Sequence, residues 1–134
     1  MIELHGWVTV RDTYKDVFWE DDYTIVAVAL IQEEIDKLKY FKPEIRARNG
    51  SFFMEFSNYA NRINGEVLEI FELYEKIGKI AVGSYGLIYL YDDENSQGKE
   101  NQFQVFILSK GVVREAEDSF LSPVVLTVED EVKR

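Results

Sequence analysis

Cysteine is absent from the 134 residues, histidine occurs once and proline twice. Without thiols the chain has no disulfide, no thiolate nucleophile and no cysteine-based zinc site. A Ser-His-Asp arrangement would have to use His5, and no Gly-x-Ser-x-Gly elbow presents a serine to it. One histidine without an identifiable nucleophile meets few of the requirements of general-base catalysis. No apolar run exceeds about seven residues, too short for a membrane span. The N-terminal stretch MIELHGWVTVRD carries neither a basic leader nor a long apolar core, so a cytoplasmic protein is expected. Gly78, Gly83, Gly86 and Gly98 are not followed by Lys-Ser/Thr at phosphate-loop spacing. Basic residues are scattered without aromatic interleaving, which argues against a nucleic-acid surface.

What is present is a core's worth of apolar residues, 46% of the chain, with 14% aromatics, and 25 acids against 15 bases for a net charge of -10. That length and composition predict a single folded domain over 1–134, with no cofactor and no metal. The charge confers solubility, and it also repels nucleic acid and anionic membranes while speeding encounter with a basic partner.

Ile2, Leu4, Val8 and Val10 alternate with Glu3, His5, Trp7 and Thr9, the pattern of a half-buried strand, and Gly6 on the apolar side suggests a bulge or a close neighbour. Ile25, Val28, Ile31, Ile35 and Leu38 recur at helical spacing, with Asp21, Asp22 and Thr24 as cap candidates and Pro43 beyond the end. Asn49-Gly50 between two alternating runs predicts a hairpin, whose second strand puts Phe52, Met54 and Phe56 on one face. A second helix follows, striped by Val67, Ile70, Phe71, Tyr74 and Ile77, with Gly78 as its expected stop and Glu66, Glu69 and Glu72 outside. KIAVGSYGLIYLYDD and NQFQVFILSKG read as strands around a polar loop, and Lys110-Gly111 permits a turn into VVREAE. The expected order is β-α-β-β-α-β-β-β, an α+β fold with a mostly antiparallel sheet and two helices on one face.

The loop DDENSQGKE invites a calcium reading. Counted from Asp93, however, position twelve is Gln104, where an EF-hand needs a bidentate glutamate, and strands rather than helices flank it. Asp92, Asp93 and Glu94 form either a solvated loop or part of a binding surface, with Tyr89 and Tyr91 beside them on the face that also carries Tyr85. Trp7 is expected to pack in the fold. Trp19, beside Asp21 and Asp22, is either an exposed anchor or a staple onto the first helix. At the C-terminus, Val124 to Val128 is expected to be ordered, with Phe120 and Leu121 too apolar to remain in water. Pro123 keeps the segment at an edge, Glu129, Asp130 and Glu131 make a second acidic patch, and Lys133 and Arg134 fray.

HGWVTVR near the start, GSYGLIYLYDDE in the middle and SKGVV followed by LSPVVLTVEDE at the end, taken in that order, resemble immunity protein family seven of bacterial polymorphic toxin systems. The resemblance spans Met1 to Glu131, although Val125 to Thr127 lacks a second proline. It implies a small cytoplasmic protein with no enzyme activity, made alongside a secreted toxin to bind and block the toxin domain. Toxins of such systems are often nucleases, with basic surfaces that suit an acidic inhibitor. Two other readings compete with it. One is an acidic adaptor that binds a basic partner transiently, and the other is an enzyme for nucleotides or sugars that carries no motif.

Overall fold

The computed structural model describes residues 1–13, 23–61 and 65–130. It is an α+β fold built on six antiparallel strands: β1 (Ile2–Val10), β2 (Glu44–Arg48), β3 (Ser51–Ala60), β4 (Tyr85–Asp92), β5 (Phe103–Ser109) and β6 (Val112–Glu117). Their spatial order is β2-β3-β1-β4-β5-β6. Two helices, α1 (Thr24–Asp36) and α2 (Gly65–Ile80), pack on one face, and a short helical turn at Val124–Thr127 follows β6. The element order matches the sequence expectation with that turn added. Trp19, Asp21, Asp22, Glu131, Lys133 and Arg134 lie outside the described residues.

Period-2 alternation puts Ile2, Leu4, Val8 and Val10 on the helix side, where they join Met54, Ile88, Leu90 and Leu108 and the buried stripes of both helices. Both hairpin signals are realised. Asn49 and Gly50 have φ of 50° and 78°, and Lys110 and Gly111 have 52° and 81°, the positive pairs that a type I′ turn requires.

Gly6 has a close neighbour and no bulge. The register runs unbroken through Gly6↔Phe56 and Gly6↔Ile88. A Cβ there would lie 2.4 Å from the Phe56 ring and 2.5 Å from the Tyr74 hydroxyl. The gap admits Tyr74 from α2, fully buried, and its hydroxyl donates to the Leu87 carbonyl at 2.9 Å. Burial pushes the ionisation of that hydroxyl far above its ordinary range.

Three local expectations are corrected. On α1 the buried residues are Ala27, Ile31 and Ile35, while Ile25 is 74% exposed. Six residues separate Ile25 from Ile31, which at ~100° per residue places it about 120° round the helix. At the N-cap of α1 stands Tyr23, which makes no side-chain cap hydrogen bond; the Thr24 hydroxyl accepts the Asp12 N–H at 3.3 Å, and the cap candidates Asp21 and Asp22 lie outside the described residues. Gly78 does not stop α2, which runs on to Ile80. It is buried where a Cβ would lie 2.9 Å from the Gly111 carbonyl, so glycine here lets helix and hairpin touch.

Candidate functional site

The sheet face opposite the helices carries Glu3, His5, Trp7 and Thr9 from β1, with the odd-numbered residues of β3, β4 and β5 beside them. Only the C-terminal segment crosses it among the described residues, and only at one end. Trp7 is therefore 42% exposed and not packed in the core as expected. It meets Tyr85 edge-on at 6.1 Å.

The acids converge at the end of the sheet where β1 begins and β4 stops. In the β4–β5 loop, Asp92 is buried and its carboxylate accepts the Glu94 N–H at 3.0 Å. Asn95 Oδ1 accepts from Gln97 N–H at 2.8 Å and Lys99 N–H at 3.2 Å. These oxygens hold the loop's own backbone, which accounts for its calcium-like composition. No group of three potential metal-ligating His, Asp or Glu side chains occurs among the described residues. Asp93 and Glu94 remain exposed, and Asp93 sits 2.6 Å from the Met1 amino group. The proximity of Asp93 raises the pKa of that amine.

The C-terminal segment is a strap across the same end. Asp118 anchors it by accepting Phe120 N–H at 3.1 Å, Leu121 N–H at 3.0 Å and the Ser122 hydroxyl at 2.9 Å. Ser122 Oγ in turn accepts the Phe103 N–H at 2.8 Å. Val124 donates its N–H to the Asn101 carbonyl at 2.8 Å and packs, 2% exposed, on Tyr91 and Phe103. The strap is ordered and runs beside the sheet, as expected for a segment containing Pro123.

Two of its side chains overturn the expectation from hydropathy. Phe120 is 79% exposed and Leu121 46%, because the Asp118 clamp fixes their backbone where no other described residue covers them. Leu126 is also exposed, at a φ of 85° that a non-glycine residue adopts at a cost of about 1–3 kcal/mol.

Tyr91 shows how the acidic stretches meet. It is buried beneath the strap, and Tyr89 flanks the same small cluster. Burial raises the pKa of the Tyr91 hydroxyl, and Glu129, Asp93 and Glu3 then raise it further. Carboxylates on the strap, the β4–β5 loop and β1 thus all act on one phenol, with Glu129 and Asp130 exposed on the strap.

Register produces a second arrangement that strand composition alone does not reveal. His5 lies opposite Ser57 and two residues from Glu3 on the same face. One ring nitrogen, Nδ1, is 2.9 Å from Ser57 Oγ, and Nε2 is 2.8 Å from Glu3 Oε1. This is the bonding order of a nucleophile, a base and an acid. However, Ser57 sits in an extended strand, where consecutive N–H groups point to opposite edges and cannot converge on one oxyanion. Beside it lies a groove of about 630 Å³, lined by Phe41, Trp7, Arg46, Ser57 and Tyr89 among others. Arg46 bridges Glu44 at 2.7 Å and Glu55 at 2.8 Å.

Glu69 and Glu66 on α2 serve the fold. The Glu69 carboxylate accepts the N–H groups of Lys39 and Tyr40, and Glu66 accepts from Asn58. No helix among the described residues is long and apolar enough to cross a membrane.

A search of the curated proteins finds no match, and a search of the solved structures finds none. The family model for Immunity protein 7 (Imm7) matches residues 1–130, essentially the whole chain. The chain belongs to the Immunity protein 7 family.

Proposed function

We propose that this immunity protein neutralises a cognate toxin domain by binding it through the acidic end of the sheet. The partner is a basic domain of the nucleic-acid-cleaving kind, met in the cytoplasm of the producing cell, and inhibition is by occupancy without turnover. One observation carries this reading: the charges of Glu129, Asp93 and Glu3, on three separate stretches of chain, all act on the same tyrosine at the end of the sheet where Ile2 pairs with Asp92. A fixed cluster of one sign raises the encounter rate with the opposite sign and excludes like-charged surfaces. The chain-wide excess of acids supports it, as do Phe120 and Leu121, which are held in water on a hydrogen-bonded strap beside the cluster. Apolar anchors ringed by charge are the usual composition of an interface hot spot.

The test is growth rescue. The toxin domain encoded next to this chain, induced alone, should arrest growth, and co-expression of the chain should restore it. Changing Asp93, Glu94, Glu129 and Asp130 together to Asn or Gln should weaken rescue while leaving the melting curve nearly unchanged. Full rescue by that variant would remove the acidic end from the interface.

A further inference from the structure

We infer that the uncovered half of β3, Phe56–Ala60, is a strand-addition site that takes an extended basic segment of the toxin domain; this rests on the immunity reading above. β2 pairs with β3 only over Ser51–Glu55, whereas β1 pairs with it over Phe52–Ala60. Beyond Glu55, one edge of β3 therefore has no strand beside it among the described residues.

The hairpin fixes which groups lie on that edge. In a two-residue type I′ turn the flanking pair, Arg48 and Ser51, is the hydrogen-bonded one, and the pattern repeats every second residue. Ser51, Phe53 and Glu55 then direct their N–H and C=O groups to β2, and Ser57 and Tyr59 direct theirs the same way, past its end. Phe56, Asn58 and Ala60 face β1. No backbone hydrogen bond to Ser57 or Tyr59 on the outer side occurs among the described residues.

Exposed edges are usually blunted by charge or proline. β2, at one margin of the sheet, carries Glu44, Arg46 and Arg48, and β6, at the other, carries Arg114, Glu115 and Glu117. The sequence FSNYA of the free half of β3 contains neither charge nor proline. It spans about 17 Å, room for a five-residue strand.

The groove of about 630 Å³ runs along this edge, and Trp7, Tyr89, Phe41 and Phe56 offer apolar surface to alternate side chains of an added strand. Glu44 and Glu55 share the single guanidinium of Arg46, while Glu3 and Glu66 stand behind Tyr59 and Asn58. The other cation of the groove, Lys42, is held by the carbonyls of Ile35, Asp36 and Leu38 and keeps its charge, so Glu3, Glu44 and Glu55 outnumber Arg46 and Lys42. An unpaired backbone edge calls for an extended backbone, and the surplus of carboxylates selects one that carries Lys or Arg.

The probe is the toxin domain encoded beside this chain, co-expressed and purified as the complex, with amide exchange followed residue by residue. In the free protein, Ser57 and Tyr59 should exchange rapidly while Phe56 and Asn58 are protected. In the complex, Ser57 and Tyr59 should slow by at least roughly a hundredfold. Ser57→Pro removes an N–H that β1 does not use, so it should fold and bind the toxin at least roughly tenfold more weakly. If that variant misfolds, the exchange comparison decides alone. A complex in which Ser57 and Tyr59 exchange as in the free protein overturns strand addition and leaves the immunity reading standing. No complex at all overturns both. Protection that appears without toxin as protein concentration rises assigns the edge to a second copy of this chain and overturns the toxin as occupant.

Discussion

Replacing Asp118 with asparagine keeps the shape of the strap's anchor and removes its charge. The carboxylate accepts three hydrogen bonds, from Phe120 N–H, Leu121 N–H and the Ser122 hydroxyl. Asparagine has one acceptor oxygen, and its amide nitrogen cannot accept, so at least one of these donors loses its partner. Hydrogen bonds to a charged group contribute about 1.5–3 kcal/mol each. Solvent screens a carboxylate this close to the surface, so the total cost at neutral pH is set at the low end, about 1–2 kcal/mol. Burial, the largest single influence, raises the Asp118 pKa, but the three hydrogen bonds outweigh it and hold the group below its ordinary 3.8. A depressed folded value means that the contribution is present above the ordinary value and is lost as pH falls through the folded one. Urea unfolding of wild type and Asp118→Asn should therefore differ by about 1–2 kcal/mol at neutral pH and converge as pH falls through the depressed folded value, where the protonated carboxyl resembles the amide. Amide exchange at Phe103 and Leu121 should quicken in the variant at neutral pH, reporting release of the strap itself. A gap that is the same at both pH values, or no gap at all, would refute the clamp.

Gly6→Ala forces a Cβ into the Phe56 ring and the Tyr74 hydroxyl, and overpacking of this kind should cost about 1–3 kcal/mol in a denaturant titration; an unchanged midpoint would mean that the sheet and α2 are not in contact there. Val124→Ala removes two methyl groups from a site closed by Tyr91 and Phe103, and should lower stability by about 1–2.5 kcal/mol. Trp7→Ala should lower stability by only about 1 kcal/mol, because the indole is half in water, while weakening toxin binding by more than that in titration calorimetry. The reverse ranking would return Trp7 to a structural role.

Much of the fold was legible because its signals are local. The alternation of Ile2, Leu4, Val8 and Val10 chooses a face without reference to any other segment. Asn49-Gly50 and Lys110-Gly111 write their turn type into two residues each. The errors came from residues whose fate depends on a distant neighbour. Gly78 resembles a helix stop until the Gly111 hairpin is placed against it. Trp7 resembles core until it is known that no helix among the described residues covers its face. Phe120 and Leu121 are apolar enough to bury, but Asp118 commits their backbone to a position that no other described residue covers. The acidic clusters at Asp93 and Glu129 are visible as composition, yet that they meet around Tyr91 depends on the strap's path. The Ser57–His5–Glu3 array and the free edge of β3 are consequences of strand register. Glu3 and His5 at spacing two were the available sign of a shared face, and their partner could not be named until β1 and β3 were aligned.

The most direct test of the account is the association rate constant of this chain with the proposed cognate toxin domain, measured as salt rises from about 50 to 300 mM, for wild type and for the variant lacking the charges of Asp93, Glu94, Glu129 and Asp130. The account predicts a wild-type rate that falls at least roughly tenfold across that range, and a variant that starts slow and changes little. Equal rates and equal salt dependence for the two proteins would contradict it, because the acidic end would then take no part in bringing the toxin to its immunity protein.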